Sequence, residues 1–422
     1  MSTPTHTPVD LGDRAFWAVP WAERYAAFAT LREQDPLRRF DEPEFPGFPQ
    51  GPGFRAVVRH ADVEEVSRDP GRFCSGQGAV SIMDLPSEAH EFFGSLISMD
   101  APRHTKIRRL AAQAFTPKRT TALLDDVERI ATSVMASARE TARAGDGTFD
   151  FVSEIAAPLP LLVICDMMGV PESRRAEVFT HSNTILAGDD PEYISSPETA
   201  LQDYLTAGAG LAGLMRELAA DREANPTDDV TSALVHGEVD GERLTHQEIA
   251  SFFILLCVAG NETTRNAVTH GVWGMHLDPA QWELWASDVE GVSPTAVDEV
   301  VRWASPINWM RRTAVTDTTV GDVPVSAGEK LLLVYGAANR DEAVFADPDR
   351  LDLRRSPNPH QGFGAHGPHF CLGAHLARRE IAVAFRRLFT DLPDLEVVGE
   401  PDRLSSIFVN GIKHLPVRLA RP

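Results

Sequence analysis

The chain has few cysteines and no close pair of them. Cys74, Cys165, Cys257 and Cys371 are all it has in 422 residues; none forms a CxxC, and the spacings match no zinc template. A disulfide scaffold is excluded, and the pattern suits a reducing cytoplasm. Basic excess is lacking too: 40 Lys and Arg stand against 61 Asp and Glu, a formal net charge of −21. So acidic a chain is ill suited to nucleic acid or to an anionic membrane surface. No run of about twenty apolar residues is free of charge, so no integral membrane segment is expected. The opening residues, MSTPTHTPVDLGDRAFW, lack a basic segment followed by an apolar one, so no signal peptide is expected. HExxH, GxSxG and a Walker lysine loop are missing, as are internal repeats and any long Gly-, Ser- or Pro-rich linker. The expectation is one domain over 1–422, with residues 1–12 as a loose tail.

What is present is helical periodicity. Apolar residues make up 43% of the chain, enough for a large core. The spacing predicts helices over Trp21–Glu33, His60–Ser67, Thr120–Arg143, Pro158–Met168, Glu172–Leu186 and Glu198–Arg222, with a turn at Gly188–Pro191. Another helix starts near Pro102, capped by Asp100 or a neighbour, and places His104 and Arg108 on one face. Strands are predicted at Phe54–Val58, Thr313–Val320, Val323–Val325 and Lys330–Tyr335, with short ones around Leu395–Val398 and His414–Leu419. Phe73–Leu96 has no clear period and reads as a binding loop. The fold class is mainly α with a smaller β part.

The longest helical signal starts at a capping box, Thr245 with Glu248, and runs to about His276. That is roughly 45–50 Å at 1.5 Å per residue, enough to cross the protein. IASFFILLCVA, from Ile249 to Ala259, is apolar almost all round, so this helix is buried. Its middle breaks the pattern: Ala259-Gly260-Asn261-Glu262-Thr263-Thr264 sets a glycine, an acid and two hydroxyls in an apolar rod. Such a failure of local rules marks a functional site. The helix is expected to open at Gly260, with Thr263 bonding back to a carbonyl or to water. Further on, a helix over Pro294–Ala304 carries Glu299 and Arg302 between apolar flanks, which suggests a buried bidentate pair.

Gln361–Gly373, QGFGAHGPHFCLG, places Cys371 at the mouth of a helix over Leu372–Phe389, where N–H groups and the helix dipole favour a thiolate. The literal GxGxxG of Gly362, Gly364 and Gly367 is not a dinucleotide fingerprint, because Pro357-Asn-Pro-His-Gln361 before it is no core strand and Pro368 follows. Cys371 can still be a nucleophile with His369 or His366 as base, an inert buried sulfur, or a metal ligand. A haem-thiolate site makes a joint demand: an axial thiolate, donors for two propionates, an apolar cavity and a polar relay. Cys371 supplies the first, and His104, Arg108, Arg312 and His369 the second. The Ile249–Ala259 face supplies the third, and Glu262 with Thr263 the fourth.

At this point the chain resembles a bacterial cytochrome P-450. Ala259-Gly-Asn-Glu-Thr263 is similar to the family's oxygen-activation motif, and Glu299-Val-Val-Arg302 to its ExxR pair. Phe363 to Gly373 resembles the cysteine-ligand loop, one residue longer than the commonest pattern, and Asp100-Ala-Pro-Arg-His104…Arg108 the propionate-binding helix. The resemblance runs from about residue 16 to 419. It implies a triangular α-rich prism around a buried haem b, iron protoporphyrin IX. Cys371 is then the iron ligand, Glu262, Thr263 and Gly260 the catalytic set, and His104, Arg108, Arg312, His369, Phe363, Gly373 and Ala259 the cofactor contacts. It also implies O2, an apolar substrate, and electrons from NAD(P)H through a ferredoxin reductase and a ferredoxin. The basic residues Arg108, Arg109, Arg378 and Arg379 are the expected docking surface for the reductase.

Residues 96–117, 158–171, 240–272, 299–313 and 410–417 further resemble the actinobacterial branch that hydroxylates terminal methyls of methyl-branched lipids and sterol side chains. Ile97, Met99, Val258, Ala259, Ile307, Asn308, Trp309 and Phe408 are the candidate cavity wall. The rival readings are a tailoring hydroxylase of a macrolide or terpenoid, a peroxide-driven haem-thiolate oxygenase, a haem sensor and a cysteine hydrolase.

Overall fold

The computed structural model describes residues 9–44, 49–84, 96–114, 117–186, 190–193 and 199–420. Most of the expected tail, 85–95 of the irregular stretch, and Gly188 and Asp189 of the expected turn lie outside the described residues. The main helices are Trp21–Gln34, His60–Arg68, Arg103–Ala114, Pro117–Ala144, Pro158–Met168, Glu172–Leu186, Ala200–Ala224, His246–Leu277, Val289–Ala304 and Ala374–Asp391. They follow the apolar periods to within a few residues.

The larger sheet has the order Arg39–Phe40, Phe54–Val57, Lys330–Val334, Trp309–Ala314, Phe73–Cys74. Lys330–Val334 is buried along its length, parallel to one neighbour and antiparallel to the other. Trp309–Ala314 is a strand that the sequence reading missed. Arg311 and Arg312 look like loop residues, yet both are buried. Arg311 earns its place through Asp84, 2.6 Å away, and through the carbonyls of Ser81, Ile82 and Met83. The expected strand Thr313–Val320 is in fact the end of this strand plus Thr318–Val320, divided at an exposed turn.

Three other expectations are corrected. Pro294 does not start its helix, which begins at Val289, where the Asp288 carboxylate accepts from the Gly291 N–H at 3.0 Å. The helix after Cys371 begins at Ala374, with Gly373 as its N-cap residue. Asp100 does not cap the helix at Arg103; its carboxylate accepts from the Ser75 and Gly76 N–H groups at 2.9 and 2.7 Å.

The central helix, His246–Leu277, carries the predicted capping box: Glu248 N–H to the Thr245 hydroxyl at 3.2 Å, and Thr245 N–H to the Glu248 carboxylate at 2.9 Å. Its first half, with Phe252, Phe253 and Cys257, packs in one core with Pro158–Met168 and Ala200–Ala224. Its second half, with Ala267, Val268 and Val272, packs in another with Val300 and Phe385. Residues 259–263 lie at the junction, so the polar insertion falls where neither core claims it. The helix runs unbroken through Gly260 and does not open there. A Cβ on Gly260 would stand 3.1 Å from Ile164 Cδ1, so the glycine permits a close helix crossing.

His270, on the second half, is buried with Nε2 3.0 Å from the Asn410 carbonyl. Burial, more than the nearby Arg340, Arg403 and Arg24 charges, pushes it down to about 3. Between the ordinary 6.5 and about 3 the unfolded chain binds this proton and the folded chain does not, so stability falls as pH drops through that window. The His270 ring is expected to remain neutral by NMR down to about pH 4, and a titration near the ordinary histidine value would disprove it.

Candidate functional site

A cavity lies beside the 259–263 junction, with an apolar side and a polar edge. Ala259, Gly260, Glu262 and Thr263 line it from the central helix; Phe363, His369, Cys371 and Gly373 line it from the cysteine loop. The Cys371 loop is pinned from outside. Cys371 N–H donates to the Phe363 carbonyl at 2.9 Å, Gln361 Nε2 to the His60 carbonyl at 2.9 Å, and Ser67 Oγ to the Ala365 carbonyl at 3.0 Å. A Cβ on Gly367 would lie 2.2 Å from the Ser67 carbonyl oxygen, so the loop can press on the His60–Arg68 helix only with glycine there. Gly362 is packed in the same way, 2.7 Å from Val301 Cγ1 at the place of a Cβ. Phe363 reaches the cavity, and the Arg378 guanidinium sits 4.4 Å over its ring.

The thiol behaves differently from the sequence expectation. Gly373 and Ala374 N–H groups, with Arg108 and Arg378, do favour the thiolate, but burial outweighs them and pushes Cys371 up from the ordinary thiol value. A thiol raised in this way is a poor free nucleophile. It becomes a thiolate readily only when a cation binds the sulfur.

At one edge of the cavity stand four cationic or potentially cationic groups. His104 is buried and its Nε2 has no partner; its ring centroid lies 4.3 Å from that of His369. Arg312 is buried, and one of its nitrogens donates to the Arg311 carbonyl at 2.8 Å. Arg108 donates to the Phe370 carbonyl at 2.7 Å. Burial, then Arg312, His104 and Arg108, depress His369 to about 3. Burial, then Arg108, also lowers His104, with Asp100 opposing. Crowded donors, one of them an orphan, could hold an anionic group. A thiol facing a cavity roofed by Ala259 and Gly260, with such a cluster at its edge, fits a haem with its propionates.

Glu262 is buried and is not a free acid. One oxygen accepts from Arg265 and, at 2.7 Å, from Asn266; the other, Oε2, has no partner. Thr263 Oγ donates to the Ala259 carbonyl at 2.6 Å, the back-bond expected of it. Glu299 and Arg302 form the anticipated pair, fully buried and bidentate at 2.7 and 2.8 Å.

Of the candidate wall residues, Ile97, Val258, Ala259, Ile307 and Phe408 line the cavity; Met99, Asn308 and Trp309 do not. Trp309 turns into a neighbouring core because the strand it opens faces that way. Asn308 and Trp309 both donate to the Ile407 carbonyl, at 3.1 and 2.9 Å, and the Trp309 ring meets Phe408 edge-on at 5.0 Å. They therefore stand behind the Phe408 segment and not in the cavity wall. Ile164, Met167 and the buried Glu380 also line the cavity, and sequence reasoning missed them. Ile164 and Met167 sit in an ordinary apolar helix, so nothing in the sequence distinguished them; Glu380 is a charged residue on a helix otherwise marked only by its basic face. The basic surface is weaker than the sequence suggests. Arg109 pairs with Asp240 at 3.4 Å, Arg378 with Asp298 at 2.7 Å, and Lys106 with Glu242.

The Cytochrome P450 family profile matches residues 294–392. A methyl-branched lipid omega-hydroxylase of Mycobacterium tuberculosis is 47% identical over 413 residues, 97% of this chain and 94% of the relative. A steroid C26-monooxygenase of Mycolicibacterium smegmatis is 39% identical over 393 residues, 92% of this chain and 89% of the relative. The crystal structure of a Mycobacterium marinum cytochrome P450 in complex with pseudoionone superposes with a TM-score of 0.91 at 39% identity, covering 99% of this chain and all of that one. No helix among the described residues is long and apolar enough to cross a membrane. With thiol, anion site and roof assembled around one cavity and likeness along nearly the whole chain, the protein belongs to the cytochrome P450 family and is a haem-dependent monooxygenase.

Proposed function

We propose that the enzyme hydroxylates the terminal methyl of a methyl-branched lipid, an isoprenoid or a sterol side chain. The observation that carries this is the cavity wall away from the polar edge. Ile97, Phe252, Leu255, Val258, Ile307 and Phe408 offer a chain-like substrate no charge to pair with. The two mycobacterial relatives, named for branched-lipid and steroid oxidation, support the same reading. A primary C–H bond is stronger than the tertiary one nearby, so terminal attack depends on positioning. Phe408, braced by Trp309, is the wall that holds the branch carbon away.

When bound, the haem supplies the activation of O2 that lets one oxygen enter a C–H bond. Cys371 would hold its iron, and His104, Arg108, Arg312 and His369 its propionates. Phe363 would cover the sulfur, and the Gly373 N–H would temper its charge. Ala259 and Gly260 would form the roof beside the reacting carbon. Thr263 would release its hydroxyl from the Ala259 carbonyl to donate a proton at the roof, and Glu262, taking a proton from water at its unpartnered Oε2, would replace it. Electrons would come from NAD(P)H through a ferredoxin reductase and a ferredoxin.

Binding of branched fatty acids, isoprenoids, sterols and macrolides, followed by loss of iron-bound water in the absorption spectrum, tests the substrate class. Preference for macrolides would overturn it in favour of a tailoring hydroxylase. Thr263→Ala is expected to lower product formed per NAD(P)H by roughly 10²-fold while peroxide-supported turnover stays near wild type. Equal loss of both would remove Thr263 from proton delivery.

A further inference from the structure

Outside the cavity, an ionic cluster joins two segments far apart in sequence. Residues 190–193 lie between the Glu172–Leu186 and Ala200–Ala224 helices. The other segment is the hairpin of Asp402–Arg403 and Ile412–His414, whose connecting loop carries the cavity residues Phe408 and Val409. Asp190 is 1% exposed, although it is a carboxylate on a surface crossing. One of its oxygens accepts the Ser405 N–H at 2.9 Å; the other faces Lys413 Nζ at 3.4 Å. Lys413 also reaches Glu192 at 3.1 Å and Asp402 at 3.5 Å. The His414 ring bridges two carboxylates, with Nδ1 2.9 Å from Asp150 and Nε2 2.8 Å from Glu192. Inward, the Ile412 N–H donates to Asn266 Oδ1 at 2.9 Å, and Asn266 holds Glu262.

We propose that Asp190, Glu192, Lys413 and His414 form a latch that positions the Phe408 loop and is released when His414 loses its proton, so that protonation governs exchange of bulky apolar ligands with the cavity. The charges support this. His414 is a donor on both sides only when protonated, and then it links Asp150 of the Thr148–Asp150 strand to Glu192 of the crossing. Among the described residues, Asp190, Asp402 and Lys413 are the other charged groups around it, and the carboxylates outnumber the lysine. Asp150 and Glu192 hold the His414 proton above the ordinary histidine value, against the effect of partial burial. The latch is therefore closed below that raised value and loosens as pH rises through it. Lys413 pairs with Glu192 and Asp402, two of the three groups that with His414 could hold a metal ion.

The test uses the full-length, haem-loaded protein and two azoles, phenylimidazole as the bulky probe and imidazole as the small control. Stopped-flow absorption follows their binding from about pH 6 to about pH 9. The two azoles ionise at different pH values, so each rate is expressed per concentration of neutral azole, and the ratio of these corrected rates isolates the latch. The phenylimidazole-to-imidazole ratio is expected to rise with pH, and Glu192→Gln, at an exposed position, to raise it about fivefold at neutral pH and flatten its pH dependence. Amide exchange at Ile412–His414, corrected for intrinsic rates, is expected to rise in the same variant. A ratio unchanged by pH and by Glu192→Gln, or amide exchange equal to wild type, overturns the latch. The azole readout rests on the haem reading, whereas amide exchange does not. Absence of any azole spectral shift would therefore count against the haem site, and amide exchange alone would then decide the latch.

Discussion

Replacing Cys371 by serine is expected to lower monooxygenase turnover by roughly 10³-fold or more, ~4 kcal/mol of barrier, while leaving the fold intact. The loop around it does not depend on the sulfur. Its closure rests on backbone and outside contacts: Cys371 N–H to the Phe363 carbonyl, Gln361 to the His60 carbonyl, and Ser67 to the Ala365 carbonyl. The serine hydroxyl cannot donate charge to iron as a thiolate does. The decisive readout is the absorption of the reduced, CO-bound protein. Wild type is expected to show the red-shifted Soret band of a thiolate ligand and Cys371→Ser to lose it. A wild-type protein without that band, or a serine variant that keeps it, would remove Cys371 from the iron. A cysteine hydrolase would carry no haem band at all, so the same spectrum separates that rival.

The second large effect concerns folding. Arg302→Ala is expected to destabilise the protein by about 3–5 kcal/mol, because it removes the bidentate partner of the buried Glu299, leaving Arg355 at the rim to face it. Both side chains are 0% exposed. Arg302 also donates to the carbonyls of Asn339, Pro348 and Arg350 at 2.8, 2.7 and 3.0 Å, and each would lose this donor in turn. Glu299 further accepts from Arg355 and from the Asp352 N–H, at 3.1 and 2.9 Å, so the pair ties its helix to the 347–355 stretch. Against a total stability of about 5–15 kcal/mol the variant is expected to fold poorly or to fail to accumulate. A urea midpoint equal to wild type would show that the network relaxes without cost. Arg302→Lys keeps the charge but loses the planar fork, and is expected to fall between the two.

The sequence alone determined the elements with strong periods and the residues with unusual chemistry. Thr245 and Glu248 had to start a helix, because each satisfies the other's orphan donor within one turn. Ala259–Thr264 stood out because a glycine, an acid and hydroxyls are costly in an apolar rod. Cys371 with its glycines, Glu299 with Arg302, and His104 with Arg108 were legible because they are near neighbours in the chain. Local reasoning did less well where burial reverses a residue's usual habit: Arg311 and Arg312 hid a central strand, and Pro294 concealed a helix that starts five residues earlier, at Val289. Only the tertiary structure decided that burial outweighs the helix-mouth donors at Cys371, that Arg265 and Asn266 hold Glu262, and that Trp309 stands behind Phe408. It alone brought Asp190 to Ser405 and Glu192 to His414, more than two hundred residues apart. The reason is physical. Helix periods and caps are set by atoms within a turn of one another, whereas desolvation and ion pairing depend on which distant surfaces pack together, and a linear pattern does not carry that information.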